Sequence, residues 1–377
     1  MKTRGNNKTS KFSSASAIAA TVAVITIALL IFLYRDQLTP PALRERFGLS
    51  GARRGDSVAY TFESGGGQVF AAAGDCLAVA STSGYQLLDK NGELAAHGLF
   101  SMRSPAIASF EGGAAFYDVG GTALHIAYEN GDDKNLDREH TIISVSANKS
   151  GALTVITEKP GLKALLTVFN KGLEPAYIFE SGTRRILGAQ VSPKGDFVVV
   201  LCADEAGSSV LCFSLSAEEP IYQLSLPDEL FFDIRYCGSS NIAILSMQRL
   251  LFIDASSGEQ AGSYDFGSRR LSSYDLSGDG FVALVLGKYI YGTQEELITV
   301  SSSGIQRGTA ELNRGADSVC AYGQRVLLLS GGSATLYNAD LAVRGVREDA
   351  LGFKKAILLK NGDCLLLTAF SAERFGF

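Results

Sequence analysis

The stretch Val191-Ser-Pro-Lys-Gly-Asp-Phe-Val-Val-Val-Leu-Cys-Ala203 contains the end of one β-strand, a tight turn and a second strand that is almost wholly apolar. Pro193 fixes φ for the turn, and Gly195 can adopt the positive φ that closes it. Because the second strand carries almost no polar residue on either side, we predict that protein covers both of its faces.

Weaker copies of this second strand recur along the chain, and their first residues are 38 to 45 positions apart. They lie at residues 76–80, 114–117, 152–157, 197–203, 242–246, 281–286, 326–329 and 364–368. Repeats of this length, with four short strands each, are typical of β-propeller blades. The sequence therefore predicts an all-β propeller, with eight blades favoured. Seven blades is the alternative, because the strands at 114–117 and 326–329 are weak.

The ends of the chain indicate how such a ring closes. The last repeat supplies strands at 353–360 and 363–370 and a short third one at 373–377. Residues 57–63, Ser-Val-Ala-Tyr-Thr-Phe-Glu, precede the first full repeat and have no local partner. We predict that they complete the last blade, since closure removes exposed strand edges.

The N-terminal part has a different character. Residues 17–34 are uncharged and mostly apolar, which predicts a transmembrane helix at 17–35 after a basic tail at 1–16. A linker at 36–55 then precedes the propeller at 56–377. The alternative is a cleaved signal peptide, but no small-residue cleavage site follows the apolar run. We expect an uncleaved plasma-membrane anchor with a cytoplasmic N-terminus and an extracytoplasmic propeller, although basic residues flank both ends of the helix.

Charge and cysteine content narrow the classes of function. The net charge is −5, and residues 1–16 carry four basic residues and no acid, so the remainder carries −9. This balance argues against a nucleic-acid partner.

None of the six cysteines forms a Cys-x-x-Cys pair. Cys202 and Cys212 flank a predicted hairpin loop, and a disulfide between them depends on the strand register.

The search for catalytic or metal-binding residues finds no convergent set. His97, His125 and His140 have no carboxylate or cysteine at metal-ligand spacing. The segment that begins at Asp275 resembles the start of a calcium loop, but Leu286 stands where a bidentate Glu is needed. There is no Gly-x-Ser-x-Gly elbow and no phosphate loop. We expect no cofactor and no enzymatic activity.

Polar residues on first strands are the weak candidates for a site, because first strands surround the central channel of a propeller. The channel candidates are Gln190, Asp233, Arg235, Ser273 and Asp275. The alternative is that they only solvate the channel. Residues 132–139 form a charged insertion, and loops of this kind often carry function. Tyr289 and Tyr291 suit either a recognition surface or the core.

The turn Ser192-Pro193-Lys194-Gly195-Asp196 resembles the Ser-Pro-Asp-Gly turn of WD40-like and TolB-like propellers. Residues 252–259 resemble the repeat of quinoprotein-type propellers. The layout of basic tail, anchor and propeller is similar to the bacterial membrane-anchored propellers known as domain of unknown function 5711. This resemblance implies a cell-envelope location and carries over no catalytic residue. Quinoprotein dehydrogenases usually have a Trp-docking motif in each blade, and this chain has no Trp.

These observations predict a membrane-anchored propeller that acts as a protein-interaction scaffold or sensor at the cell envelope. Its partner would be an envelope protein that the sequence does not identify. The alternative is a propeller that binds a small molecule or glycan in its central channel, with or without hydrolysing it. Fold alone does not separate the two.

Overall fold

A computed structural model describes residues 59–63, 65–289 and 294–377. The tail predicted at 1–16, the helix predicted at 17–35, the linker predicted at 36–55 and Tyr291 lie outside the described residues. The described residues form eight four-stranded antiparallel sheets, each of which is one blade. The part of the chain that is described contains no helix with the length and apolar character needed to cross a membrane.

The strands are given blade by blade, with the first strand of each blade innermost. Blades one to four consist of β2 (Val69–Ala73), β3 (Cys76–Ser81), β4 (Gly84–Leu88) and β5 (Leu94–Leu99); β6 (Pro105–Phe110), β7 (Gly113–Asp118), β8 (Leu124–Tyr128) and β9 (Asp133–Asn135); β10 (Ile142–Ala147), β11 (Leu153–Thr157), β12 (Ala164–Phe169) and β13 (Pro175–Ser181); and β14 (Arg185–Val191), β15 (Phe197–Asp204), β16 (Gly207–Ser214) and β17 (Pro220–Pro227).

Blades five to eight consist of β18 (Phe231–Cys237), β19 (Asn241–Ser246), β20 (Arg249–Asp254) and β21 (Gln260–Asp265); β22 (Arg270–Asp275), β23 (Phe281–Gly287), β24 (Glu295–Ser301) and β25 (Gln306–Leu312); β26 (Ala316–Tyr322), β27 (Arg325–Ser330), β28 (Ser333–Asn338) and β29 (Val343–Arg347); and β30 (Lys355–Leu358), β31 (Cys364–Leu367), β32 (Ser371–Phe375) and β1 (Ala59–Thr61).

Eight blades are confirmed, and the seven-bladed alternative is wrong. Each predicted apolar segment is the second strand of a blade, including the two weak ones, which are β7 and β27. The small side chains of Ala114 and Ala115 weaken the apolar signal of β7, yet both are fully buried. Small residues can fill such positions because neighbouring blades pack closely on the second strand.

The strand that follows the Ser-Pro-Lys-Gly turn is covered on both faces, as predicted. Val198, Val200 and Cys202 of β15 belong to the apolar cluster shared with blade three. Val199 and Leu201 belong to the cluster shared with blade five. Successive strand residues point to opposite faces, so an unbroken apolar run matches a blade with neighbours on both sides.

The turn before this strand is built by one side chain. Ser192 Oγ accepts hydrogen bonds from the backbone N–H groups of Gly195, Asp196 and Phe197 and donates one of 2.6 Å to Asp196 Oδ1. Gly195 has φ +81°, a conformation that favours glycine. The sequence prediction for this turn is confirmed.

The predicted closure of the ring is also confirmed. β1 is the outermost strand of blade eight and pairs antiparallel with β32, with Tyr60 opposite Ala372. Tyr60 is fully buried in the cluster that blade eight shares with blade one. The first and last strands of the described chain are therefore joined in one sheet.

A disulfide between Cys202 and Cys212 is excluded by the register. Cys202 lies opposite Ser209 and Cys212 lies opposite Val199. The two side chains belong to clusters on opposite faces of the blade. All six cysteines are free thiols.

Candidate functional site

The connections between strands emerge at two opposite faces of the ring, because each blade is antiparallel and begins at its inner strand. One face carries the turns that join first to second and third to fourth strands. Turns of neighbouring blades meet there, as in the 3.0 Å hydrogen bond from Lys360 N to Gly74 O. The opposite face carries the second-to-third turns and the links between blades, which also meet, as in Met102 N to Thr82 O at 3.0 Å.

Charge is distributed unequally between the two faces. The described connections of the first face hold 14 acidic and five basic residues, so we call it the acidic face. Its acidic residues are Asp75, Asp89, Glu93, Glu111, Glu129, Asp132, Glu174, Asp196, Glu218, Glu219, Glu259, Asp279, Asp340 and Asp363. The described connections of the second face hold nine acidic and nine basic residues, so we call it the neutral face.

Exposed apolar side chains follow the opposite distribution. In the described connections of the neutral face, six large apolar residues are exposed: Val119, Leu230, Met247, Tyr289, Leu351 and Phe370. In those of the acidic face there is one, Ile305. Leu351 is 80% exposed and Tyr289 is 62% exposed, so Tyr289 is part of the surface. The described connections of the neutral face therefore carry more exposed apolar side chains and less unbalanced charge than those of the acidic face.

The channel candidates occupy inner strands, and the two carboxylates among them join neighbouring blades. Asp233 on β18 accepts a 3.0 Å hydrogen bond from the hydroxyl of Tyr274 on β22 and a 2.8 Å bond from Ile234 N. Burial raises the pKa of Asp233. Asp275 on β22 accepts 2.8 Å hydrogen bonds from Ser277 N and from Ala321 N on β26.

The side chains of the other three candidates form no hydrogen bond to a neighbouring blade among the described residues. Gln190 and Ser273 are half-buried, and Arg235 is exposed. The prediction that the five residues line a ligand site is not tested by these contacts. Both oxygens of Asp275 are engaged by backbone N–H groups, and among the described residues no three His, Cys, Asp or Glu side chains lie close enough to hold a metal ion.

Several joints between blades were not predicted from the sequence. Lys355 Nζ on β30 donates a 2.9 Å hydrogen bond to Phe70 O on β2, and burial lowers the pKa of this lysine. Ser146 Oγ on β10 donates to Ala189 O on β14 at 2.6 Å, and Ala356 N on β30 donates to Ser318 Oγ on β26 at 3.2 Å. Each joint satisfies backbone groups of inner strands. For the two serine joints the sequence signal is a polar residue 43 or 38 positions from its partner, about one blade repeat, whereas Lys355 and Phe70 lie 285 positions apart.

A cleft of about 410 Å³ lies on the acidic face around blade seven. Arg307 is held there by Asp340 Oδ1, 2.9 Å from Nε and 2.8 Å from Nη2. Its guanidinium carbon lies 5.7 Å from the centroid of the Phe281 ring. Arg325 Nη1 donates a 3.0 Å hydrogen bond to Gly362 O. Arg307 and Arg325 are therefore both engaged by other groups of the protein.

The fold defines the class of this protein as an eight-bladed β-propeller. Residues 57–345 match the family described as "Family of unknown function (DUF5711)", and the chain belongs to that family. No curated protein sequence matches the chain.

Solved structures share the fold at low sequence identity. BamB from Moraxella catarrhalis aligns with a TM-score of 0.56 and 11% identity over 85% of this chain and 98% of BamB. The C-terminal WD40 domain of Sif2 aligns with a TM-score of 0.57 and 12% identity over 85% of this chain and 97% of that domain. The computationally designed Ika8 protein aligns with a TM-score of 0.62 and 10% identity over 86% and 100%. At these identities the likeness concerns the fold alone.

Proposed function

We propose that this chain is a membrane-anchored, extracytoplasmic propeller that binds another protein of the cell envelope through its neutral face and catalyses no reaction. The observation that carries the proposal is the separation of the two faces: exposed apolar residues on the neutral face and excess negative charge on the acidic face. Interface cores are depleted in charged residues and enriched in aromatic residues and Met. Tyr289, Met247 and Phe370 fit that composition.

The excess negative charge supports the same choice of face. An acidic face repels partners that are themselves acidic, and the desolvation of unpaired carboxylates opposes burial in an interface. The acidic face is therefore suited to remain in water. We infer a partner that presents an apolar surface of low net charge, of the standard size of about 800 Å² per partner.

The envelope location rests on the apolar run at residues 17–34 and its basic N-terminal flank. A protease added to intact cells tests the orientation. We expect it to cut the propeller or its linker in intact cells, whereas protection until lysis would contradict an extracytoplasmic propeller.

The experiment that tests the binding face is photo-crosslinking of the full-length protein in cells. A photoreactive residue is placed at Leu230 or Met247 on the neutral face, and at Ile305 on the acidic face as the matched control. We expect a reproducible crosslinked envelope protein, identified by mass spectrometry, from the first two positions only. The same partner captured equally well from Ile305, or no partner from either face, would overturn the proposal.

Substitutions at the same positions provide a second readout. For this readout the photoreactive residue replaces Tyr289, which is also on the neutral face. The double variant Leu230→Asp with Met247→Asp should abolish the crosslink from that position, because both new charges must be desolvated when the interface forms. Ile305→Asp should leave that crosslink intact. Since all three side chains are exposed, thermal unfolding should be similar for the two variants.

A further inference from the structure

A cleft of about 390 Å³ opens on the neutral face where blades two and three meet. It is formed by the link between the blades and by the turn after β11. Its lining residues are Arg138, Glu139, His140, Thr157, Lys159, Pro160 and Leu165. The charged insertion in the sequence thus supplies part of the cleft.

Arg138 is held at this cleft by the protein, but no described residue serves as its counter-ion. Its guanidinium carbon lies 5.0 Å from the centroid of the Phe169 ring, and its backbone N–H donates a 2.8 Å hydrogen bond to Thr122 O. Among the described residues, no carboxylate forms an ion pair with it. Burial lowers the pKa of Arg138, and no nearby acid opposes that shift. A half-buried cation without a counter-ion is unfavourable until an anion joins it.

The carboxylates of the same link are engaged elsewhere or point to solvent. Asp137 Oδ1 accepts a 3.2 Å hydrogen bond from Leu124 N, and its Oδ2 accepts one of 2.9 Å from Asn135 Nδ2. Glu139 is exposed. Lys159 Nζ lies 2.5 Å from Glu180 Oε1, so its charge is already paired. Arg138 is therefore the cation of the cleft whose charge is not compensated by a described residue.

A hydroxyl group also lines the cleft. The side chain of Thr157 is 3% exposed and belongs to the cleft lining. Among the described residues, its hydroxyl is not one of the buried polar atoms that lack a partner, so it is accessible from the cleft. Leu165 and Pro160 add apolar surface beside this hydroxyl. The cleft thus combines a cation with no ion pair among the described residues, a hydroxyl group and an apolar wall.

We propose that this cleft binds a carboxylate carried on an apolar body, with Arg138 as the ion-pairing group and Thr157 as a hydroxyl donor. The proposal rests on the proposed function, because the carboxylate would belong to a peptide segment of the partner. One uncompensated cation matches one negative charge, and Glu139 at the rim opposes a dianion such as phosphate. The guanidinium fork suits the two oxygens of a carboxylate.

Calorimetric titration of the full-length protein in detergent tests this site with small probes. N-acetyl-leucine offers a terminal carboxylate, the α-amide of N-acetyl-glutamate offers a side-chain carboxylate, and N-acetyl-leucinamide is the neutral control. We expect one of the carboxylates to bind and the amide not to bind. Arg138→Gln should weaken the binding by about tenfold or more, since hydrogen bonds to charged groups are among the stronger ones. The carboxylate that binds more tightly identifies its source in the partner.

Variants separate loss of the site from loss of the fold. Arg138→Lys keeps the charge and should bind more weakly than the wild type but better than Arg138→Gln, and Thr157→Val should weaken binding without removing a charge. Arg103→Gln removes an exposed charge of the same face and should bind like the wild type. Tighter binding of inorganic phosphate, equal binding of the amide, no binding at all, or no effect of Arg138→Gln would each overturn the proposal. Because no partner is needed, these results are independent of the crosslinking that tests the proposed function.

Discussion

The hydroxyl of Tyr274 donates a 3.0 Å hydrogen bond to Asp233 Oδ2 and thereby joins the inner strands of blades five and six. The two residues are 41 positions apart, which is about one blade repeat. The carboxylate is half-buried, and burial raises its pKa even though the hydrogen bonds from Tyr274 and Ile234 N oppose that shift. The folded protein therefore favours the protonated form of Asp233 more than the unfolded chain does.

This joint predicts a pH effect that Asp233→Asn removes. A raised folded pKa means that the folded protein binds the proton more tightly than the unfolded chain does. The resulting stability is largest at low pH and is lost as pH rises from the unfolded pKa of about 4 through the raised folded value. We expect the stability of the wild type relative to Asp233→Asn to fall as pH rises from about 4, measured by denaturant unfolding.

The control for this prediction is Asp254→Asn, for which the sign is opposite. The 2.6 Å hydrogen bond from Ser256 Oγ and those from the backbone N–H groups of Ser256 and Ser257 lower the pKa of Asp254. Its contribution is present above the unfolded pKa and is lost as pH falls through the lower folded value. A difference between the wild type and Asp233→Asn that is constant or increases with pH would contradict the assignment at Asp233.

Closure of the ring by β1 predicts a large effect of Tyr60→Ala. The side chain is fully buried between blades eight and one, and its hydroxyl donates a 3.2 Å hydrogen bond to Lys90 O. Removing a buried aromatic ring costs about 3–5 kcal/mol. Thr61→Ala, on the exposed side of the same strand, should change the free energy of unfolding by less than about 0.5 kcal/mol. Equal effects of the two variants in denaturant unfolding would show that β1 does not close the ring.

Deletion of residues 57–63 tests the same closure by removing the whole of β1 rather than one side chain. We expect a sharply lower melting temperature, because the deletion leaves β32 as an unpaired edge. Deletion of seven residues within the predicted linker at 36–55 is the control of equal length. An unchanged melting temperature after the deletion of 57–63 would contradict the closure.

The turn before β15 predicts a cost for Ser192→Ala. This change leaves the N–H groups of Gly195, Asp196 and Phe197 without their side-chain acceptor. Since Ser192 is buried, we expect a loss of about 1–3 kcal/mol in the free energy of unfolding. Lys194→Ala changes an exposed residue of the same turn and should have little effect. If the two variants unfold alike, the hydroxyl of Ser192 does not stabilise the turn.

The free thiols predict low reactivity in the folded protein. Burial raises the pKa of Cys202 to about 12 and that of Cys212 to about 11, so both are protonated at neutral pH. We expect iodoacetamide to modify the folded protein slowly and to modify all six cysteines after unfolding without reductant. Fewer than six modified cysteines in the unfolded, unreduced protein would reveal a disulfide and contradict the register of β15 and β16.

The elements that the sequence predicted correctly are those set by local physics. The apolar run after Gly195 indicated a strand that is covered on both faces, and its spacing from the other runs predicted the number of blades. Ser192, Pro193 and Gly195 supply a turn that is closed by hydrogen bonds within six residues. The lack of a local partner for residues 57–63 indicated pairing with the last blade. The candidate sites were harder to predict, because the partners of Asp233, Asp275 and Lys355 lie on neighbouring blades.

The sequence by itself determined an all-β chain of eight repeats, the turns within them and the strand that completes the last blade, because strand periodicity and turn chemistry act over a few residues. Only the tertiary structure decided which face of the ring each connection occupies, that acidic and exposed apolar residues separate between the faces, and that Arg138 has no counter-ion within the part of the chain that is described. These features depend on residues about a blade repeat or more apart, whose contacts arise only when the blades pack around a common axis.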